Sequence, residues 1–156
     1  MRATASQSDA VAWSFKPFGA LTATELYDVL ALRSAVFVVE QRCIFHDIDG
    51  TDDQALHLLG WLNGDLVAYA RCFAAGIKYP EAAIGRVISH SSQRATGLGH
   101  RLMHQVLGNI AAHWGAQPIR IGAQARLASF YTAHGFVSTG IAYVEDGIDH
   151  IEMVRP

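Results

Sequence analysis

The pair Asn63-Gly64 lies between two runs of strand-forming residues, and it constrains the fold more than any other feature of the sequence. The runs cover residues 56–62 and 66–73, and both are rich in apolar side chains. Asn and Gly readily adopt the positive φ angles that a tight two-residue hairpin requires. The turn Asn63-Gly64-Asp65 therefore predicts an antiparallel hairpin.

Hydrophobic periodicity divides the rest of the chain into helices and strands. Thr22, with Glu25 three residues later, has the pattern of a capping box, and apolar residues then recur at helical spacing to about Val39. Further helices are predicted over residues 97–114 and 127–134, the second ending at Gly135. Further strands are predicted over residues 11–16, 82–89, 119–123, 136–144 and 148–154. This order predicts an α/β (α+β) fold in one domain, residues 10–156, after a disordered tail over residues 1–9.

Composition and the distribution of apolar residues exclude several classes of protein. Of the 156 residues, 51% are hydrophobic and 17% are charged, which is typical of a globular domain. No apolar run approaches the roughly 20 residues that span a bilayer, and the N-terminus lacks the apolar segment of a secretory signal. Cys43 and Cys72 form no CxxC motif and are expected to be reduced. We therefore expect a cytoplasmic protein with no membrane partner.

Two further classes of ligand are not expected. His100 and His104 lie at helical spacing, but no HExxH motif accompanies them. Residues 47–53 lack the glycine and the closing glutamate of a calcium-binding EF-hand loop. No metal is therefore predicted. The arginines are spread over strands and helices without a recognition helix, so no nucleic acid is predicted as a partner.

The formal net charge of −2 conceals an uneven distribution of charge along the chain. Residues 71–126 contain seven basic residues and one acidic residue, whereas the flanking segments are strongly acidic. We expect the basic segment to meet an anionic ligand, and the acidic flanks, with Asp47, Asp49 and Asp146, to attract a cationic amine. The alternative is that the segments interleave in space and their charges cancel.

Residues 85–103 carry the most chemical information. A strand ends near Ser89, and Arg94 precedes a helix that opens with Gly97 and Gly99. The unpaired N–H groups at a helix start suit a phosphate, and glycines let the backbone approach it closely. A dinucleotide-binding loop would need a third glycine where Leu102 stands, and a P-loop motif is absent. A tight strand-to-helix turn without a ligand would account for the glycines but not for Arg94.

Two blocks of sequence resemble the GNAT superfamily of N-acetyltransferases. Arg86-Val87-Ile88-Ser89 followed by Arg94-x-x-Gly97-x-Gly99 is similar to its acetyl-CoA signature, and Gln124 to Tyr131 followed by Gly135-Phe136 is similar to its later block. Shorter segments resemble the ElaA-type proteins, which are small and bacterial: Arg33-x-x-Val36-Phe37-Val38-Val39-Glu40-Gln41, Asp47-Ile48-Asp49-Gly50, Gly60-Trp61, Ala68-Tyr69-Ala70-Arg71, Gly122-Ala123-Gln124-Ala125 and Asp146-Gly147-Ile148-Asp149-His150. The Arg33-x-x-Val36-Phe37 segment is also similar to acyl-homoserine lactone synthases.

The resemblance implies a fold and a set of roles. It implies a GNAT-like domain with a central mixed, mostly antiparallel, sheet flanked by helices, and acetyl-CoA as the co-substrate. Tyr131 would protonate the leaving thiolate, and Gln124 would contact the CoA arm. The backbone of the strand would pair with the pantetheine through Val87, Ile88 and Ser89. The pyrophosphate would be held by Arg94, Ala95, Thr96, Gly97, Leu98, Gly99 and His100.

An amine with a pKa near 10 must lose a proton before it attacks, so a general base is also needed. We select Glu40, whose pKa partial burial would raise, and His150, which titrates in the useful range. The other candidates are an ordered water and the side chains Asp47, Asp49, His57 and Glu145.

The sequence thus predicts an acetyl-CoA-dependent N-acetyltransferase that acts on the primary amine of a small molecule or peptide by direct attack in a ternary complex. Homodimerisation is compatible with the superfamily. Two alternatives stay open: a non-catalytic acyl-CoA-binding or regulatory module, and an acyltransferase with a different acyl donor, as in the acyl-homoserine lactone synthases.

Overall fold

The hairpin predicted around Asn63-Gly64 is part of a seven-stranded sheet. In the computed structural model, which describes residues 10–156, Asn63 and Gly64 have φ angles of 52° and 85°, as a type I′ turn requires. The strands are β1 (Ala12–Pro17), β2 (Leu56–Leu62), β3 (Asp65–Phe73), β4 (Ala82–Ser89), β5 (Ile119–Gln124), β6 (Val137–Glu145) and β7 (Ile148–Arg155). Their spatial order is β1-β2-β3-β4-β5-β7-β6. β4 and β5 are parallel and the other neighbours are antiparallel, which confirms the predicted mixed sheet.

Three α-helices flank the sheet: α1 (Ala23–Arg33), α2 (Leu98–Trp114) and α3 (Ala128–Thr132). The predicted capping box is confirmed, because Thr22 Oγ1 accepts a hydrogen bond from the N–H of Glu25 and the Glu25 carboxylate accepts one from the N–H of Thr22. No helix within residues 10–156 is long and apolar enough to cross a membrane. The predicted tail, residues 1–9, lies outside the described residues.

The helical segment after α1 differs from the prediction. Residues Ser34–Glu40 form a π-helix, in which the N–H of Gln41 bonds to the carbonyl of Val36. A π-helix holds an extra residue in each turn, so it redirects the side chains that follow it, and such segments are frequent at functional sites. Hydrophobic spacing predicted the extent of this helix to Val39 but not its change of hydrogen bonding.

The two faces of the sheet are covered by different helices. Alternate side chains along a strand point to opposite faces, so β2 places Leu58 in the core under α2 and Leu59 in the core under α1. Both leucines are fully buried. α2 is amphipathic as predicted, and it buries Leu102 and Val106 against the first of these faces.

A buried ionic network fixes the loop of residues 42–54 to α1. Arg33, at the last turn of α1, is fully buried. Its guanidinium donates to Asp47 Oδ2 at 3.0 Å and to Asp52 Oδ1 at 2.7 Å. It also donates to the carbonyl of Asp47 at 2.8 Å. A loop without regular hydrogen bonding is thereby held in one conformation over the sheet.

The same network extends to the strands. Arg71 on β3 donates to both carboxylate oxygens of Asp49 and shares Asp52 with Arg33, while Arg86 on β4 donates to Asp47 Oδ1 at 2.8 Å. The expected separation of a basic middle segment from an acidic flank is therefore wrong for this loop, because the arginines of one segment pair with the aspartates of the other.

Tyr143 of β6 reaches across β7 to β5. Its ring stacks on His150 with 5.3 Å between the ring centroids. A Cβ atom built on Gly122 would lie 2.1 Å from the Tyr143 hydroxyl oxygen but 3.5 Å from Cζ of the ring. Glycine at position 122 thus leaves room for one hydroxyl group.

Replacing Arg33 by methionine tests the network. We expect Arg33→Met to lower the free energy of unfolding by about 3 kcal/mol, because buried aspartates lose a charged partner. Urea denaturation measures this change. The matched control is Lys16→Met, which removes a partly exposed pair with Glu25 outside the network and should cost less than about 1 kcal/mol. Equal losses in the two variants would show that the network is energetically unimportant.

The contact at Gly122 predicts a rescue. Gly122→Ala should lower the free energy of unfolding by about 1 kcal/mol, because the added methyl group displaces the end of the Tyr143 side chain, and adding Tyr143→Phe should recover most of that loss by removing the clashing oxygen. Urea denaturation of both single variants and the double variant measures the coupling. Additive losses would contradict this account.

Candidate active site

The sheet opens between β4 and β5. These parallel strands pair only at Ala82 with Ile119 and at Ala83 with Arg120, after which they part. β4 continues to Ser89 with no ladder to β5. A cavity of about 690 Å³ lies in this gap and is lined by both strands. The edge of β4 therefore offers N–H and C=O groups to a molecule that enters the gap.

An irregularity in β4 marks the centre of the gap. The register between β3 and β4 shifts between Tyr69 and Arg71, and Arg86 has a φ of 51°, which is unusual for a residue with a Cβ. A bulge of this kind redirects the residues beyond it. Val87, Ile88 and Ser89, which were predicted to contact the cofactor, follow the bulge and line the cavity.

The loop between β4 and α2 has the geometry expected of an anion-binding turn. Gly97 is the N-cap of α2 and has a φ of 84°, and Ala95, although not a glycine, has a φ of 66°. Within residues 10–156, the N–H groups of residues 95–100 form no backbone hydrogen bond, and the first such bond of α2 runs from Arg101 to Gly97. This loop meets the cavity at Arg94.

Arg94 and Glu40 form an ion pair at the cavity wall. The Arg94 guanidinium contacts both oxygens of the Glu40 carboxylate, and both side chains are substantially exposed. Hydrogen bonding to Arg94 lowers the pKa of Glu40. The expectation that burial raises the Glu40 pKa is therefore wrong, because the π-helix ends at the surface and brings Glu40 to a cation.

Tyr131 lies on the wall of the cavity. It is 7% exposed, and its ring packs edge-on against Phe130 and Phe136. Burial raises the pKa of Tyr131 to about 12. Its hydroxyl forms no hydrogen bond with another residue in the described part of the chain, so it is available to a ligand in the cavity. Gln124, also on the wall, donates to Gln41 Oε1 at 3.2 Å.

The candidate bases are divided between the cavity and the protein interior. His57 is fully buried between the Tyr69 hydroxyl and the carbonyl of Asp52, and burial lowers its pKa. Asp47 is held by arginines, as described above. His150 and Glu145 line the cavity. The structure thus excludes His57 from the cavity and keeps His150 within it.

The ring of His150 has a defined orientation. Its Nδ1 lies 2.7 Å from the carbonyl oxygen of Ile148. A carbonyl oxygen only accepts hydrogen bonds, so Nδ1 carries the proton in the neutral ring and Nε2 carries a lone pair. A lone pair on a nitrogen at the cavity wall can accept a proton.

Sequence reasoning missed several residues of the cavity wall. Lys78, Tyr79 and Tyr143 line it, although they belong to no motif. Their positions follow from strand pairing and a loop conformation, which local sequence does not reveal. His100, which was predicted to help hold the pyrophosphate, instead places its ring against His134 and Phe130. In the described residues, no group of three or more His, Cys, Asp or Glu side chains could hold a metal ion.

Comparisons with known proteins agree with this geometry. Residues 28–155 match the family described as the acetyltransferase (GNAT) domain. Protein ElaA of Escherichia coli K12 is 42% identical over 147 residues, which cover 93% of this chain and 96% of that protein. The crystal structure of E. coli ElaA has a TM-score of 0.88 at 41% identity and covers 94% of this chain and 100% of that chain.

Two other solved structures extend the comparison. An acyl-CoA N-acyltransferase from Pseudomonas aeruginosa has a TM-score of 0.88 at 41% identity, covering 93% of this chain and 99% of its own. An aminoglycoside 6'-N-acetyltransferase complexed with coenzyme A shares the fold at 12% identity, with a TM-score of 0.68. The match covers 90% of this chain and 95% of that chain. By its sequence over most of its length and by its sheet, the chain belongs to the GNAT family of acyltransferases and is a relative of ElaA.

Proposed function

We propose that the protein transfers an acetyl group from acetyl-CoA to a primary amine, by direct attack within a ternary complex. The observation that carries this proposal is the open edge of β4 beside Tyr131 in one continuous cavity. An extended chain with amide groups, such as the pantetheine arm, can pair with such an edge as an added strand. Bound acetyl-CoA would supply an activated acetyl group as a thioester.

Different residues of the gap would bind different parts of acetyl-CoA. Backbone groups of Val87, Ile88 and Ser89 would pair with the pantetheine amides. The free N–H groups of residues 95–100 would bind the pyrophosphate, since they lie at the start of a long helix. Arg94 would add positive charge, in competition with its partner Glu40. A backbone N–H of β4 would stabilise negative charge on the thioester oxygen.

Tyr131 would act as the general acid. A departing thiolate needs a proton, and the raised pKa of the buried Tyr131 keeps its hydroxyl protonated at neutral pH. The hydroxyl has no competing partner among the described residues, so it can donate to the sulfur atom.

His150 would act as the general base, with Nε2 accepting the proton that the attacking amine loses. Glu40 would instead serve as the charge partner of Arg94. A stable ion pair with Arg94 lowers the basicity of Glu40, which makes it a weaker proton acceptor than a neutral imidazole.

Tyr131→Phe tests the acid. We expect kcat to fall by about a hundredfold or more while the Kd for acetyl-CoA is unchanged, because only the proton donor is lost. Stopped assays of CoA release and a binding titration measure the two quantities. Tyr27→Phe is the control, since Tyr27 is 75% exposed and outside the cavity. Normal turnover in Tyr131→Phe would remove the proposed role.

His150→Gln and Glu40→Gln test the base as a pair. We expect His150→Gln to lower kcat by about a hundredfold at neutral pH. Glu40→Gln should keep kcat and tighten acetyl-CoA binding, because it frees Arg94 for a phosphate. The reverse pattern, with Glu40→Gln losing turnover and His150→Gln keeping it, would make Glu40 the base.

The overall function is tested by CoA release from acetyl-CoA with a panel of primary amines. Turnover above the rate without an acceptor supports the proposal. Tight acetyl-CoA binding without turnover of any amine would indicate a non-catalytic binding module. Faster release from longer acyl-CoA thioesters than from acetyl-CoA would indicate a different acyl donor.

A further inference from the structure

Three cationic side chains converge on a single carboxylate oxygen in the cavity wall. Asp49 Oδ2 lies 2.8 Å from Nη2 of Arg71, 3.6 Å from Nη2 of Arg86 and 3.8 Å from Nζ of Lys78. All four side chains line the cavity. Burial acts to raise the pKa of Asp49, but hydrogen bonds from Arg71 and Thr51 and the charge of Arg71 lower that pKa below its ordinary value.

The ionic network around Asp49 carries an excess of positive charge. It consists of four cations and three carboxylates, namely Arg33, Arg71, Lys78 and Arg86 with Asp47, Asp49 and Asp52. Lys78 and Arg86 are 33% and 21% exposed, so the surplus charge lies at the cavity surface, where an anionic ligand can reach it. One further negative charge would complete this network.

Three donors of the network are unused: Nε of Arg71, which is buried, and groups of Lys78 and Arg86, which are partly exposed at the cavity. Arg33 is fully buried, and Nη1 and Nη2 of Arg71 are both engaged by aspartates. Lys78 contacts Asp49 only at 3.8 Å, with its ammonium 5.0 Å from the centre of the Phe73 ring. Arg86 uses Nε and Nη2 for Asp47, and Nη1 has no hydrogen-bond partner within residues 10–156.

This pair of donors fits a carboxylate. A carboxylate brings one negative charge, which equals the excess, and its two oxygens can accept from a guanidinium and an ammonium together. A phosphate would bring more charge than the network lacks. The same cavity is bordered by Glu145, Asp146 and His150, where an amine can bind.

Resting on the proposed function, we propose that the acceptor is an amine that also carries a carboxylate, as a free amino acid does, and that Lys78 and Arg86 bind the carboxylate. The acceptor is therefore zwitterionic rather than simply cationic. Lys78 sets specificity. It contacts Asp49 only at 3.8 Å, whereas Arg86 makes two hydrogen bonds to Asp47, so replacing Lys78 keeps the hydrogen bonds between the arginines and the aspartates.

The experiment compares acceptors with and without the carboxylate. Free L-amino acids and the same compounds as carboxamides are assayed for CoA release from acetyl-CoA, with the wild type and Lys78→Met. We expect free acids to have a kcat/KM about tenfold or more above their carboxamides, since a charged hydrogen bond is lost in the amide. Lys78→Met should raise KM for the acids by about tenfold, leave kcat unchanged and leave the carboxamides unaffected.

Two variants isolate the charge at position 78. Lys16→Met is the matched control, because it removes the chain's other lysine, outside the cavity, and should change neither series. Lys78→Arg should restore the preference for acids. A purely structural role of Lys78 would lower kcat/KM for both series equally.

The outcomes separate this inference from the function on which it rests. Carboxamides that react as well as the acids would overturn the inference while supporting acetyl transfer to amines. Turnover of neither series would also overturn it, and the wider amine panel would then decide the proposed function by itself.

Discussion

The parting of β4 from β5 after two residue pairs is the constraint on which the rest of the molecule depends. A parallel strand pair inside a sheet normally continues its hydrogen bonding, because unpaired backbone groups that lose contact with water are costly. Here the strands run past the point of separation after Ala83, and the bulge at Arg86 lies within the unpaired stretch. The gap connects the two faces of the sheet, so Tyr131 from the side of α2 and the 42–54 loop from the side of α1 border one cavity.

The second requirement is a rigid wall opposite the open strand. That wall is an irregular loop, and arginines from α1, β3 and β4 replace the hydrogen bonds that regular structure would supply. Asp47, Asp49 and Asp52 of the loop are paired with these arginines. What reaches the cavity from this side is consequently a small surplus of positive charge, although the loop itself is rich in aspartate.

Local signals were sufficient for much of the fold. The Asn63-Gly64 turn, the capping box at Thr22 and Gly97 at the start of α2 each depend on only a few neighbouring residues, so the sequence alone located them. The site was harder to predict because its contacts are distant along the chain. Arg86 and Asp47 are 39 residues apart, and Arg94 and Glu40 are 54 apart. Reasoning from neighbouring residues therefore predicted Glu40 to be a partly buried base, and it predicted a separation of charges that the fold brings together.

The π-helix over Ser34–Glu40 has a consequence for how such a site can change. Successive residues of an α-helix are rotated by about 100°, and the extra residue in a π turn shifts everything after it by about that angle. Deleting a single residue from this segment would rotate the residues that follow it, including Gln41, whose side chain contacts Gln124. A one-residue insertion or deletion here would therefore change which side chains of this segment reach the cavity.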